Sequence, residues 1–191
     1  MARSLAPRLL FLFFPLALLL TTAGHTSGPL GGGSSGSAPA FELQSSAFPA
    51  GGEIPAQYTC SGAGKSPKLA WTNVPGGTQT LVLIVDDPDA PSGTFTHWIL
   101  YNLDPRTKQL PEGLPNTEQV LTGASQGHND FGRLGYGGPC PPPGKPHRYF
   151  FRLYALNAKL KVPTGAVRQE IEGVMNGHII GQAVWMGTFK R

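Results

Sequence analysis

Between Leu81 and Val85 the chain reads LVLIV, apolar at every position, and it runs directly into DDPDAP, Asp86 to Pro91. A strand with one wet face alternates polar and apolar residues. An unbroken apolar run of strand length instead implies cover on both faces, so the fold must place material on two sides of a central sheet. The acidic, proline-containing stretch after it admits two readings. One is a tight turn, since Asx side chains bond nearby backbone and Pro presets φ. The other is a carboxylate held at the strand end as part of a polar pocket.

Short runs of strand character recur along the chain. Phe41 to Ser45, Leu69 to Trp71, Thr80 to Val85, Phe95 to Asn102 and Arg148 to Leu156 are apolar, β-branched or aromatic, and Gly, Pro, Asn and Asp bound them. Ile179 to Phe189 reads as a closing strand. With 26 Gly and 19 Pro in the chain, long helices have little room. One helix is expected near the carboxyl end, capped by Thr164, carrying Val167, Ile171, Val174 and Met175 at helical spacing, and stopped at Gly177. The fold class is therefore mainly β: a largely antiparallel sandwich of two packed sheets with one or two small helices.

The folded domain is expected to occupy 41–191, the length of one unit with a sizeable core. Ahead of it, residues 1–23 have the plan of a signal peptide: a basic start at Arg3 and Arg8, an apolar core from Leu9 to Leu20, and a small-residue cleavage site ending at Ala23. That core contains Pro15 and falls short of the roughly 20 residues a spanning helix needs, so cleavage is expected rather than anchoring. Residues 24–40, GHTSGPLGGGSSGSAPA, read as a flexible Gly/Ser-rich tether. The mature protein is thus expected to be secreted or periplasmic and not an integral membrane protein.

The 15 Lys and Arg against 11 Asp and Glu give a formal charge of +4. Two of those cations lie in the leader, and the rest are scattered rather than gathered in a stripe, which argues against a nucleic-acid partner. Cys60 and Cys140 are the two cysteines. In a chain that leaves the reducing cytosol they are expected to pair, and closing so long a loop would stabilise by roughly 4 kcal/mol in the chain-entropy view. Two buried thiols are the alternative. A structural zinc site needs more ligands than this pair supplies.

Polar residues stand out in three places. In Phe95-Thr96-His97-Trp98-Ile99-Leu100-Tyr101, alternation puts His97 on one face with Phe95, Ile99 and Tyr101, an imidazole among apolar neighbours. In HRYFFRLYAL, starting at His147, alternation groups His147, Tyr149, Phe151 and Leu153, and turns Arg148 and Arg152 the other way, toward solvent or acids. The stretch Gly127 to Pro146, GHNDFGRLGYGGPCPPPGKP, mixes glycines and prolines with Asn129, Asp130, Tyr136 and Cys140, which suits an ordered irregular loop. Glycine permits close backbone approach and proline stiffens it.

Taken in order, DDPDAP, THWILYN and GYGGPCPPPGKPHRYFFRLYAL resemble the phosphatidylethanolamine-binding protein family. The resemblance is strongest to its bacterial-type, Raf-kinase-inhibitor-like (YbhB/YbcL-like) branch. FELQSSAF, IPAQYTCSG, SPKLAW and the late GHII add to it, so that it covers Phe41 to Phe189. It implies a β-sandwich with a small pocket for phosphate or phospholipid-headgroup-like anions. Carried over residue by residue, it nominates Asp87 with Ala90 and Pro91 in the lining, His97, His147 and Tyr149 as polar contacts, and Gly138 and Pro139 as close-approach backbone. Asp86 and Asp89 are left to the turn. A carboxylate near imidazoles favours their charged form, and imidazolium donates strong hydrogen bonds to anionic oxygen; Asp87 would thus orient both rings while Tyr149 and backbone amides donate as neutral groups.

The function expected is that of a non-enzymatic binding protein without a cofactor, acting as an inhibitor or regulator of a partner protein. A protease or kinase met through its loop or tether is one such target. No nucleophile is paired with a base. The rival expectation is a metal-dependent hydrolase using Asp87, His97 and His147, since two histidines and a carboxylate suit zinc or iron.

Overall fold

The structure is a computed structural model and describes residues 39–191. The expected leader, and the tether except for residues 39 and 40, lie outside the described residues. Nine strands are present among the described residues: β1 Glu42–Ser45, β2 Leu69–Thr72, β3 Thr80–Asp87, β4 Phe95–Leu103, β5 Gln109–Leu110, β6 Gln119–Val120, β7 Ala124–Gln126, β8 His147–Leu156 and β9 Ile179–Phe189. They form two antiparallel sheets, one in the order β1-β2-β5 and one in the order β6-β7-β4-β3-β8-β9. Among the described residues a single α-helix, α1, spans Arg168–Met175, and a 3-10 turn covers Ala56–Tyr58.

The strand LVLIV lies at the centre, between β4 and β8, and every residue of β3 is buried. Leu81, Leu83 and Val85 face the small sheet and pack with Leu43, Leu69, Trp71, Phe151 and Leu153. Val82 and Ile84 face the other way and are covered by Leu160, Ala166, Ile171 and Met175 from α1 and its approach. The unbroken apolar pattern follows from this double cover: small sheet on one side, helix on the other. Cys60 and Cys140 are bonded to each other, with Cα atoms 5.3 Å apart. Among the described residues, no helix is long and apolar enough to cross a membrane.

Two expectations about elements are corrected. Thr164 does not cap the helix; Val167 stands at the cap position, and the Glu170 carboxylate accepts its backbone N–H at 3.0 Å. A carboxylate reaching back from the first turn satisfies an end amide that Thr164, too far upstream, cannot reach. The strand β3 does not stop at Val85 but carries Asp86 and Asp87 within it, both buried. The small strands β5, β6 and β7 are too short to show a period in sequence.

Candidate functional site

At the carboxyl end of β3 the two neighbouring carboxylates point to opposite faces, as strand geometry requires. Asp87 faces the sandwich side. Its Oδ2 accepts a hydrogen bond from His147 Nδ1 at 2.8 Å, and its Oδ1 accepts from the Asp89 amide at 2.8 Å. One carboxylate therefore both closes the turn and positions a ring, so the two readings of DDPDAP hold together. Asp86 faces the helix side, where Arg152 Nε and Arg168 Nη1 each lie 3.1 Å from its Oδ2. Asp89 accepts from the Arg148 backbone N–H at 3.0 Å and from its guanidinium at 2.9 and 2.8 Å, which holds the Asp89 carboxyl well below the usual range.

His97 reaches the same side by a route that alternation does not predict. Between β3 and β4 the paired residues step from Val85–Trp98 to Asp86–Thr96, leaving His97 as an extra residue in a β-bulge. A bulge adds one residue and shifts the facing of the rest of the strand. His97 therefore does not share a face with Ile99 and Tyr101, which join the helix-side core. Its ring packs instead on Tyr149 and Phe95, with centroids 5.2 and 5.1 Å away, and on Phe131 at 5.4 Å.

The imidazole is fixed by backbone rather than by Asp87. His97 Nδ1 is 2.8 Å from the Gly137 carbonyl, and the Gly137 amide donates back to the His97 carbonyl at 2.8 Å. A carbonyl only accepts, so Nδ1 carries the proton and Nε2 is the nitrogen left for a ligand. Glycine at 137 leaves room for the Phe131 ring, since a Cβ there would lie 2.6 Å from it and push it aside. Burial pushes His97 below its ordinary pKa, outweighing the Gly137 carbonyl and the charges of Asp87 and Asp130. The expected upward pull of Asp87 is present but loses to desolvation.

Asp87, Ala90, Pro91, His97 and His147 line one cavity of about 240 Å3, together with Ser92, Phe95, Phe131, Cys140, Pro141 and Pro142. Tyr149 stands behind the His97 ring, fully buried, and its hydroxyl makes no hydrogen bond of normal length. Burial first, then the Asp87 charge and a long hydrogen bond toward its carboxylate, raise the phenol's pKa, so it stays a neutral donor. Gly138 and Pro139 lie behind the wall rather than in it. A Cβ on Gly138 would meet the Tyr58 carbonyl at 2.8 Å, and the Pro139 carbonyl accepts the Cys60 amide at 3.1 Å. The sequence patterns do not single out Gly137, Phe95, Phe131 or the Pro141–Pro142 pair as site residues. An aromatic residue inside a glycine-rich loop, as in Asn129-Asp130-Phe131-Gly132, is the signal that points to Phe131.

The loop from Gly127 onward is ordered by β4. Gly127 N donates to Ile99 O at 3.0 Å, Asp130 N to Thr96 O at 2.9 Å, and Thr96 N to Asp130 Oδ2 at 2.6 Å. The disulfide then ties Cys140, part of the cavity wall, to the segment after the 3-10 turn. Among the described residues, no three His, Cys, Asp or Glu side chains converge as a metal-holding group.

A model of the phosphatidylethanolamine-binding protein family matches residues 44–190. The chain belongs to this family. Family membership accords with the double-sheet fold, and two solved relatives share it. One is a phosphatidylethanolamine-binding protein homolog from Chlamydia trachomatis, 43% identical, with a TM-score of 0.73 over 80% of this chain and 98% of that one. The other is YbcL from E. coli, described as a new member of the mammalian phosphatidylethanolamine-binding protein family, 32% identical, with a TM-score of 0.76 over 80% of this chain and 99% of that one. Among relatives known by sequence, a UPF0098 protein from Aquifex aeolicus is 51% identical over 153 residues, covering 79% of this chain and 89% of its own.

Proposed function

We propose that this family member is an exported, non-enzymatic binding protein whose cavity holds a small phosphate-like anion, free or as a phospholipid headgroup. The observation that carries the reading is His97 held in the cavity wall with its Nε2 left open by the Gly137 bond, and behind it the buried Tyr149 hydroxyl, which feels the Asp87 carboxylate but makes no hydrogen bond of normal length to it. His147, fixed through Nδ1 by Asp87, adds a second ring in the wall. Leaving a buried hydroxyl unpaired costs about 1–3 kcal/mol, a cost that an anionic oxygen would relieve.

Inorganic phosphate titrated into the folded protein at pH 6, followed by the imidazole 15N resonances, tests this. Saturable shifts at His97 and His147 are expected, with a dissociation constant no weaker than about 10 mM. They should weaken toward pH 8, because a buried neutral His97 must take up a proton to donate through Nε2, and calorimetry should find phosphate binding lost in the His97→Ala, His147→Ala double variant. Imidazole signals that ignore phosphate at pH 6 would refute the reading.

A further inference from the structure

A fixed carboxylate sits in the wall of a cavity assigned to an anion, and that opposition limits the charge of the ligand. The acidic and basic side chains in the lining are Asp87, His97 and His147. Asp87 contributes one negative charge and each imidazole at most one positive charge. The wall therefore ranges from one net negative, with both rings neutral, to one net positive, with both protonated.

Groups just outside do not change this count. Arg148 is balanced by Asp89 through its two-pronged bond, and Asp130, held by the Thr96 amide, adds negative rather than positive potential at His97 and so cannot offset a second ligand charge. Lys145 is exposed, as is Arg133, whose guanidinium lies 5.3 Å from the Phe131 ring centroid. These two line no part of the cavity, and solvent and salt screen them. Tyr149 donates without charge. Apart from the neutral Ser92 and the disulfide-bonded Cys140, the rest of the wall is Ala90, Pro91, Phe95, Phe131, Pro141 and Pro142, where an uncompensated second ligand charge would be held against apolar surface.

We infer, building on the anion-binding reading above, that the cavity selects singly charged anions: it takes phosphodiesters and phosphomonoesters in their protonated, singly charged form and rejects doubly charged phosphomonoesters. In both cases the ligand brings one negative charge and His97 takes up one proton from solvent, so that Nε2 donates to the anionic oxygen; a doubly charged monoester would need a second proton as well.

Calorimetric titration of the disulfide-intact protein with dimethyl phosphate and with methyl phosphate tests the inference. A phosphomonoester has a second pKa of about 6, so methyl phosphate is mostly a dianion at pH 7.5 and mostly a monoanion at pH 5.5. At pH 7.5 the diester should bind at least about tenfold tighter, and at pH 5.5 the two should agree within about threefold. Equal or tighter binding of the monoester at pH 7.5 overturns the inference while leaving the anion site standing. Failure of both probes at both pH values overturns the anion site itself. Asp87→Asn lifts the ceiling to two net positive charges and should erase most of the discrimination at pH 7.5. If that variant does not fold, the wild-type comparison decides alone.

Discussion

Asp86 and Asp87 are neighbours in one strand and almost equally buried, at 1% and 3% exposure, yet their surroundings differ in kind. On the helix side Asp86 meets Arg152 and Arg168, cations at any physiological pH, and Arg168 is in turn bonded to Glu172 at 2.7 Å. That face is closed and its charges are balanced within the protein. On the sandwich side Asp87 meets His147, a partner that can change its charge, and beyond it lies a cavity rather than a helix. The difference teaches that a buried carboxylate becomes structural or ligand-directed through its partner. Guanidinium locks it, while imidazole leaves one nitrogen and one proton negotiable.

The largest expected effect breaks the closed side. Asp86→Asn leaves two guanidinium groups facing each other without their shared anion. It should cost about 3 kcal/mol in urea unfolding, the low end for a broken buried pair because both arginines keep some contact with water. Phosphate affinity should stay within about twofold, and a large loss of binding would show that the two faces are not separable. A smaller effect sharpens the open side. Tyr149→Phe removes an unpaired buried hydroxyl, so stability should hold or rise, while anion affinity should fall about fivefold, near 1 kcal/mol. A destabilised variant with unchanged affinity would assign that hydroxyl to the fold.

The smallest effect concerns pH. Burial lowers the pKa of His97, so folding favours its neutral form. The stability this ring supports is complete above its unfolded pKa of about 6.5 and is lost as pH falls through the lower folded value. Without ligand, the wild type should lose about 2–4 °C more in Tm between pH 7 and pH 5 than His97→Asn, a variant that keeps a donor for Gly137. Saturating phosphate should remove the difference. Parallel Tm curves for the two proteins would take His97 out of the comparison.

Much of this arrangement is legible in the chain. LVLIV announces a strand covered twice, and alternation places His147 and Tyr149 on one face, because β8 pairs without interruption from His147 to Ala155. His97 stands out in sequence for a reason that the fold does not keep. Strict alternation sets it among Ile99 and Tyr101, and it reaches the cavity only because the bulge inserts it out of phase. Nothing in single-residue patterns announces a bulge without glycine. The ring's anchor is equally hidden, since Gly137 acts through its carbonyl and any residue has one; its identity matters only for the clearance over Phe131. Asp86 reads as a turn residue because its two arginine partners lie far along the sequence, in β8 and α1.

The bulge at His97 makes the binding site depend on a count rather than on a composition. The β3–β4 ladder is regular from Leu83 to Val85 and again from Asp86 to Asp87, so losing a single codon from the three that encode Thr96 to Trp98 would let these stretches zip in one register. The sheet could survive such a deletion with its core hydrophobics nearly intact, while the cavity lost a wall. Within this scaffold, the frame of one strand is inherited as tightly as the identity of any side chain it carries.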